Sequence, residues 1–472
     1  MKNPKKLLAI VLALAGVLLV VKAQEHDFSV IISKGERPAL AVPDLRGDAQ
    51  AQGFMAALNS TLWSDLEGGG IFKMVPKTLY PTTVPQQPSD FRMPPPVNNT
   101  PPARGRKAQP PPPQSGGGLW MADWAGPPPQ ATYLVMGYAA VQNGLFVLRG
   151  WLIDLRRDTP ANAQVLGKTY IEPLDEAGAR KGAHEFAADI LALFGAKSLF
   201  GSHIYFVREL RAPPNRLTEI WAMDADGKNQ KQVTHYNSNS AQPAVSPDGT
   251  KIAFVSWVRG NPGIFIFSVD PVRDLRFYNQ RGASVTATPS FTPDGKQLVF
   301  MSSSGGCCQI DIANLDGGNM RPITASSVIN AEPKVNPKTG AEIAFVSGRS
   351  GPQQIYRMNM DGADVERLSD GTGEASNPAW HPDGQTLAFA WTRGFATGAF
   401  NVFIMDVASR QYTQLTHGEG KNENPSWAPD GKHIAFASTR SGRSQIWSML
   451  ADGTQLQQLT TQGSNLSPVW GK

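Results

Sequence analysis

Six prolines recur along the second half of the chain, at positions 243, 289, 333, 378, 425 and 468, with spacings of 46, 44, 45, 47 and 43 residues. They share a phrase. Gln242-Pro243-Ala244-Val245-Ser246-Pro247-Asp248-Gly249 leads into Lys251-Ile252-Ala253-Phe254-Val255-Ser256, and the pattern returns at Thr288-Pro289, Asn377-Pro378 and Asn424-Pro425. A looser copy, Glu332-Pro333-Lys334-Val335-Asn336-Pro337, carries Lys338-Thr339-Gly340 where the others have Asp-Gly. A period near 45 residues belongs to propeller blades. Pro-Asp-Gly turns the chain sharply, because Pro presets φ and Gly accepts a positive one. Each following β run leads to Ile or Val beside an aromatic (Ile220-Trp221, Ile264-Phe265, Ile355-Tyr356, Val402-Phe403, Ile446-Trp447) and then to a last short run such as Val233-Thr234 or Leu459-Thr460. Four strands per unit make one blade.

The ends set the blade count. Ser467-Pro468-Val469-Trp470-Gly471-Lys472 opens a further repeat, and the run Ile204-Tyr205-Phe206-Val207 has no Pro-Asp-Gly strand before it. Joining the two predicts six blades, five in register and one split between the two ends of residues 201–472, with no strand edge left open.

The first 200 residues read differently. Lys2, Lys5 and Lys6 precede an apolar run over 7–21, too short at about 1.5 Å per residue for a hydrocarbon core of about 30 Å. This pattern predicts an export signal, residues 1–23, cleaved after Ala23 or retained as an anchor of the same topology. The charge argument turns on it. The whole chain carries 44 basic and 39 acidic side chains; without residues 1–23 it carries 40 and 39, so neither half has the basic surplus a nucleic-acid-binding role needs. Residues 24–200 predict a small α/β domain. Pro38-Ala39-Leu40-Ala41-Val42 and residues 71–75 are strand-like, and a hairpin turns at Asn143-Gly144 between runs 133–141 and 145–155. Residues 164–171 continue as a strand. Phe54, Leu58 and Leu62, and later Phe186, Ile190 and Phe194, stand four apart on helical faces. An insertion over 81–129 is rich in Pro and Gly, including Pro94-Pro95-Pro96 and Gly116-Gly117-Gly118, and predicts an extended, mobile surface loop of polyproline II character. It serves either as a docking or spanning segment or as a tolerated solvated insertion. Trp120 and Trp124 are candidates to pack back onto the domain.

This arrangement of export signal, α/β domain and six-fold repeat resembles the TolB family, the periplasmic components of the Tol–Pal envelope system, over the whole mature chain. Arg37-Pro38-Ala39-Leu40-Ala41-Val42-Pro43 looks like the family's opening strand, and Gly137 with the Asn143-Gly144 hairpin and the strand at 151–155 also fits. The resemblance implies a non-enzymatic, monomeric periplasmic adaptor without a cofactor, supporting outer-membrane integrity and constriction at division. It implies an N-terminal arm that engages a TolA-like inner-membrane protein and a propeller mouth that binds a Pal-like lipoprotein. The arm residues are Phe28, Ser29, Val30, Ile31 and Ile32, strand-prone and able to add to a partner's sheet edge or to pack on the propeller. The mouth residues are Gln242, Thr288, Glu332, Asn377, Asn424 and Ser467, all polar with a single acid, expected in the loop before each first strand. They serve a partner as a set or simply solvate the channel and cap strand ends. Three departures stand out: the long insertion, the missing Asp of the third repeat, and the vicinal pair Cys307-Cys308, which forms either a strained ring or two thiols.

Signs of catalysis are sparse. There is no Gly-x-Ser-x-Gly elbow, and the seven His residues (26, 184, 203, 235, 381, 417 and 433) include no pair at metalloprotease spacing. Gly167-Lys168-Thr169 lacks the first glycine of a phosphate loop, where Asn162 stands. A second hypothesis is a secreted propeller enzyme, such as a glycan lyase-like or peptidase-related one, which needs His, Arg and carboxylates converging on the channel.

Overall fold

A computed structural model describes residues 37–92, 116–269, 273–278, 285–304 and 308–472. The expected export signal, the arm residues Phe28, Ser29, Val30, Ile31 and Ile32, and Cys307 lie outside the described residues. The chain divides after Phe200 into two compact units.

In the first unit the strands are β1 (Ala39–Ala41), β2 (Arg46–Gly47), β3 (Lys73–Met74), β4 (Tyr133–Gln142), β5 (Leu145–Asp154) and β6 (Gln164–Pro173). They form one sheet in the order β3-β1-β4-β5-β6, with β2 also on β4. Asn143 and Gly144 turn the β4–β5 hairpin at φ 52° and 75°, the left-handed pair a type I′ turn requires. Two helices cover one face, α1 (Met55–Gly68) and a longer helix at Glu176–Leu193. Asp175 caps the longer helix by accepting the Gly178 N–H at 2.7 Å, and Gly195, at φ 69°, follows its end. The expected apolar faces hold. Leu58, Leu62, Phe186 and Ile190 are completely buried against Tyr133, Val135 and Leu148 of the sheet.

The opposite face corrects the sequence expectation. Residues 81–92 and 116–129 do not run as an extended surface loop; they fold back over Ala41, Leu134, Met136 and Ile153. The short helix α2 (Met121–Ala125) carries Trp124, fully buried, whose indole N–H donates to the Gly118 carbonyl at 2.8 Å. Asp123 gathers this turn by accepting the Gly118 and Trp120 N–H groups at 2.8 and 3.1 Å. Gly118 is obligatory here: its φ is 100°, and a Cβ would stand 2.0 Å from the Thr83 carbonyl oxygen. Proline content marks where regular pairing stops. It does not say whether flanking aromatics find a surface to cover.

The second unit is a ring of six four-stranded antiparallel sheets. Five are continuous in sequence. The sixth pairs the C-terminal strand Ser464–Gly471 with His203–Arg211, in the register Leu466 with Val207 and Trp470 with Ile204. Six phenylalanines, Phe206, Phe254, Phe300, Phe345, Phe389 and Phe436, occupy the same place on the second strand of each blade, and all are completely buried. Each contributes roughly 1.5–3 kcal/mol through burial, so the repeat is also a repeating core. The third full blade manages without its Asp. Asn336 Oδ1 accepts the Lys338 and Thr339 N–H groups at 3.0 and 3.2 Å, a task Asp248 and Asp294 perform for their turns.

Candidate partner-binding channel

The innermost strand of every blade is interrupted at the same point. In the blade of Ser240–Val245, Ala241 pairs with Val255 and Ala244 with Ala253, leaving Gln242 and Pro243 together opposite Phe254. Two residues facing one is a β-bulge. The same geometry sets Thr288-Pro289 opposite Phe300, Glu332-Pro333 opposite Phe345 and Asn377-Pro378 opposite Phe389. Asn424-Pro425 and Ser467-Pro468 stand likewise opposite Phe436 and Phe206. The first residue of every bulge is left-handed, with φ between 48° and 54°. Proline takes the second position because it has no N–H to leave unpaired where the ladder breaks.

All six predicted mouth residues therefore come together around the axis, but as bulges within the first strands and not as loops before them. They line one channel of about 360 Å³. Their side chains are partly committed. Gln242 Oε1 accepts the Thr288 N–H at 3.0 Å, Glu332 accepts the Asn377 N–H at 2.6 Å, and Asn377 Oδ1 accepts the Asn424 N–H at 3.2 Å. In three places around the ring, a side chain on one blade thus caps the left-handed residue of the next. Thr288 Oγ is buried without a hydrogen bond to any described residue.

Below the polar ring the inner strands end on Phe291, Trp380, Trp427 and Trp470, which give the channel an aromatic wall. Trp380 fixes its indole by donating to the Lys334 carbonyl at 2.9 Å, and Trp470 donates to Ser202 Oγ at 3.0 Å. Lys334 is the lining residue the sequence reading passed over. Taking the residue immediately after each recurring proline finds Ala244, Ser290, Lys334, Ala379, Ser426 and Val469, with one charge among them. Burial pushes the Glu332 carboxyl up, against the opposing pull of the Asn377 hydrogen bonds and the Lys334 charge. Burial likewise pushes the Lys334 ammonium down, with Glu332 acting in the other direction.

None of the described histidines lines the channel. His184 meets Asp65 at 2.6 Å, His433 meets Asp430 at 2.7 Å, and His381 sits 2.8 Å from the Gly431 carbonyl oxygen. Among the described residues no group of three or more His, Cys, Asp or Glu could hold a metal ion. Among the described residues, Glu332 and Lys334 are the charged ones that line the channel.

Comparison with known proteins bears on the same region. Residues 191–376 and 368–472 match the family model of the TolB beta propeller domain. A protein TolB homolog of Chlorobium luteolum is 34% identical over 197 residues, 42% of this chain and 43% of that protein. The Tol-Pal system protein TolB of Bordetella pertussis is 33% identical over 210 residues, 44% of this chain and 46% of that protein. The matched stretch thus spans less than half the length of these curated relatives. In overall architecture the chain is similar to the crystal structure of TolB from Acinetobacter baumannii, with a TM-score of 0.71 and 22% identity over 92% of this chain and 97% of that one.

Proposed function

Because the chain belongs to the TolB beta propeller domain family, we propose that it is a periplasmic, non-enzymatic adaptor of a Tol–Pal-like envelope system. It reaches the periplasm by Sec-type export, binds a Pal-like lipoprotein at the channel and engages a TolA-like protein through Phe28, Ser29, Val30, Ile31 and Ile32. In that role it supports outer-membrane integrity and envelope constriction at division. The observation that carries the channel half is the convergence of Gln242, Thr288, Glu332, Asn377, Asn424 and Ser467 on one axis above an aromatic wall. Polar hydrogen-bonding groups over apolar surface are what a protein loop needs to be both oriented and desolvated.

The test is co-purification. The full chain, exported in its own cells, is captured with and without residues 24–33 and after Asn424→Trp, which fills the channel. The reading expects the lipoprotein to be lost with Asn424→Trp alone and the TolA-like protein with the arm deletion alone. Recovery of neither partner by the wild-type chain refutes the adaptor function.

A further inference from the structure

The channel contains a positive charge that feels the nearby Glu332 carboxylate but is held by no hydrogen bond from a described residue. Lys334 stands on the strand Asn330–Val335, two residues past Glu332, and lines the cavity. No hydrogen bond or ion pair joins its Nζ to a described residue, whereas the carboxylate beside it takes three hydrogen-bond contacts from Asn377. Glu332 accepts the Asn377 N–H at 2.6 Å and the Asn377 side-chain amide at 3.2 and 3.3 Å. The acid is therefore a structural cap, and the cation is the charged group left to meet a ligand. Burial makes this ammonium costly and the Glu332 charge offsets that cost only in part, so an incoming anion relieves it.

The size and wall of the cavity narrow the class of anion. A lone ammonium suits a monoanion better than a phosphate, whose second charge it would leave unmatched. The amides of Thr288, Asn377 and Asn424, which might have formed an anion nest, already donate within the ring. Proline rings and the indoles of Trp380, Trp427 and Trp470 line the same channel, a lining that packs against chain atoms. We propose that the channel is a carboxylate-binding site, in which Lys334 pairs with an acidic side chain presented on a loop of the bound protein. The proposal rests on the channel reading above and assigns it a specific chemistry. It adds Lys334 to the six residues of the polar ring as the group that meets the partner's charge.

The experiment measures affinity for the soluble domain of the Pal-like lipoprotein from the same cells, using the full exported chain and its Lys334→Gln and Lys334→Arg variants. Glutarate serves as a free-acid probe, followed by tryptophan fluorescence. Lys334→Gln is expected to weaken the lipoprotein at least tenfold with a melting temperature no lower than that of wild type, while Lys334→Arg stays within about threefold of wild type. Equal binding by wild type and Lys334→Gln overturns the carboxylate site and leaves the channel reading standing. An equal loss in Lys334→Arg also overturns it, because size and not charge is then being read. If the lipoprotein fails to bind the wild-type chain, the channel reading falls and glutarate decides the rest. Quenching that depends on Lys334 retains a carboxylate site for a free acid, and no quenching overturns it.

Discussion

Glu332 and Asn377, 45 residues apart in sequence, are joined across two blades by a hydrogen bond of 2.6 Å from the Asn377 backbone N–H to the Glu332 carboxylate. The bond stitches one left-handed bulge residue to the next. Glu332→Ala strands that buried N–H and should cost about 1–3 kcal/mol, whereas Glu332→Gln keeps an acceptor and should cost less than half as much. Urea unfolding of the two variants checks the order. Equal losses would mean that the carboxylate's charge, and not its acceptor oxygen, holds the contact.

Thr288 is the strained member of the ring. It is β-branched, it sits at φ 49°, and its hydroxyl is buried without a hydrogen bond to a described residue. Thr288→Asn should raise stability by about 1 kcal/mol, since Asn accepts the left-handed conformation and can cap the next blade as Asn377 does. A thermal melt no higher than wild type contradicts this account of the strain.

Asp248 links the Pro-Asp-Gly turns to acid sensitivity. The Ser246 hydroxyl and then the Thr250 N–H, which donate to it, hold its carboxyl down at about 2, from an ordinary 3.8. A carboxyl depressed by folding adds stability that is complete above its unfolded value and lost as pH falls through its folded one. The melting-temperature gap between wild type and Asp248→Ala should therefore be full above about pH 4 and close toward pH 2. A gap independent of pH would show that the turn contacts and not the charge are responsible.

Ring closure depends on a short piece of chain. Trp470 pairs with Ile204, takes the Ser426 hydroxyl oxygen as acceptor for its N–H at 2.9 Å, and donates its indole N–H to Ser202 at 3.0 Å. Trp470→Ala should cost about 3–5 kcal/mol. Deleting residues 467–472 exposes the edge of His203–Arg211 and should abolish the single cooperative transition of the propeller. Denaturant titration followed by circular dichroism tests both, and an unchanged midpoint in the deletion refutes closure as the source of cooperativity.

Legibility followed the range of the interactions. Local patterns were readable: Asn143-Gly144 made its hairpin, Phe186 and Ile190 faced the core, and the recurring Xaa-Pro pairs converged on the axis. The described flanks of the insertion depart from an extended loop because composition reports only backbone constraints, and the packing back of Trp124, a candidate in the sequence, depends on Leu134 and Met136 having an uncovered face to offer. The bulges were placed one step early, in loops, because proline alone does not reveal that Phe254 and its five counterparts each face two residues instead of one.

The repeat spacing and the split final unit determined the propeller, its six blades and the strands that close it. These are consequences of turn chemistry and strand length within about 45 residues of chain. Tertiary structure alone decided the chemistry of the channel. Glu332 and Lys334 are near neighbours of opposite charge in sequence and look like a pair. Asn377, arriving from the next blade, takes the carboxylate's hydrogen bonds, so Glu332 acts on Lys334 through its charge and not through a hydrogen bond. Hydrogen-bond donors compete for an acceptor by position in space, and that position exists only once the ring has closed.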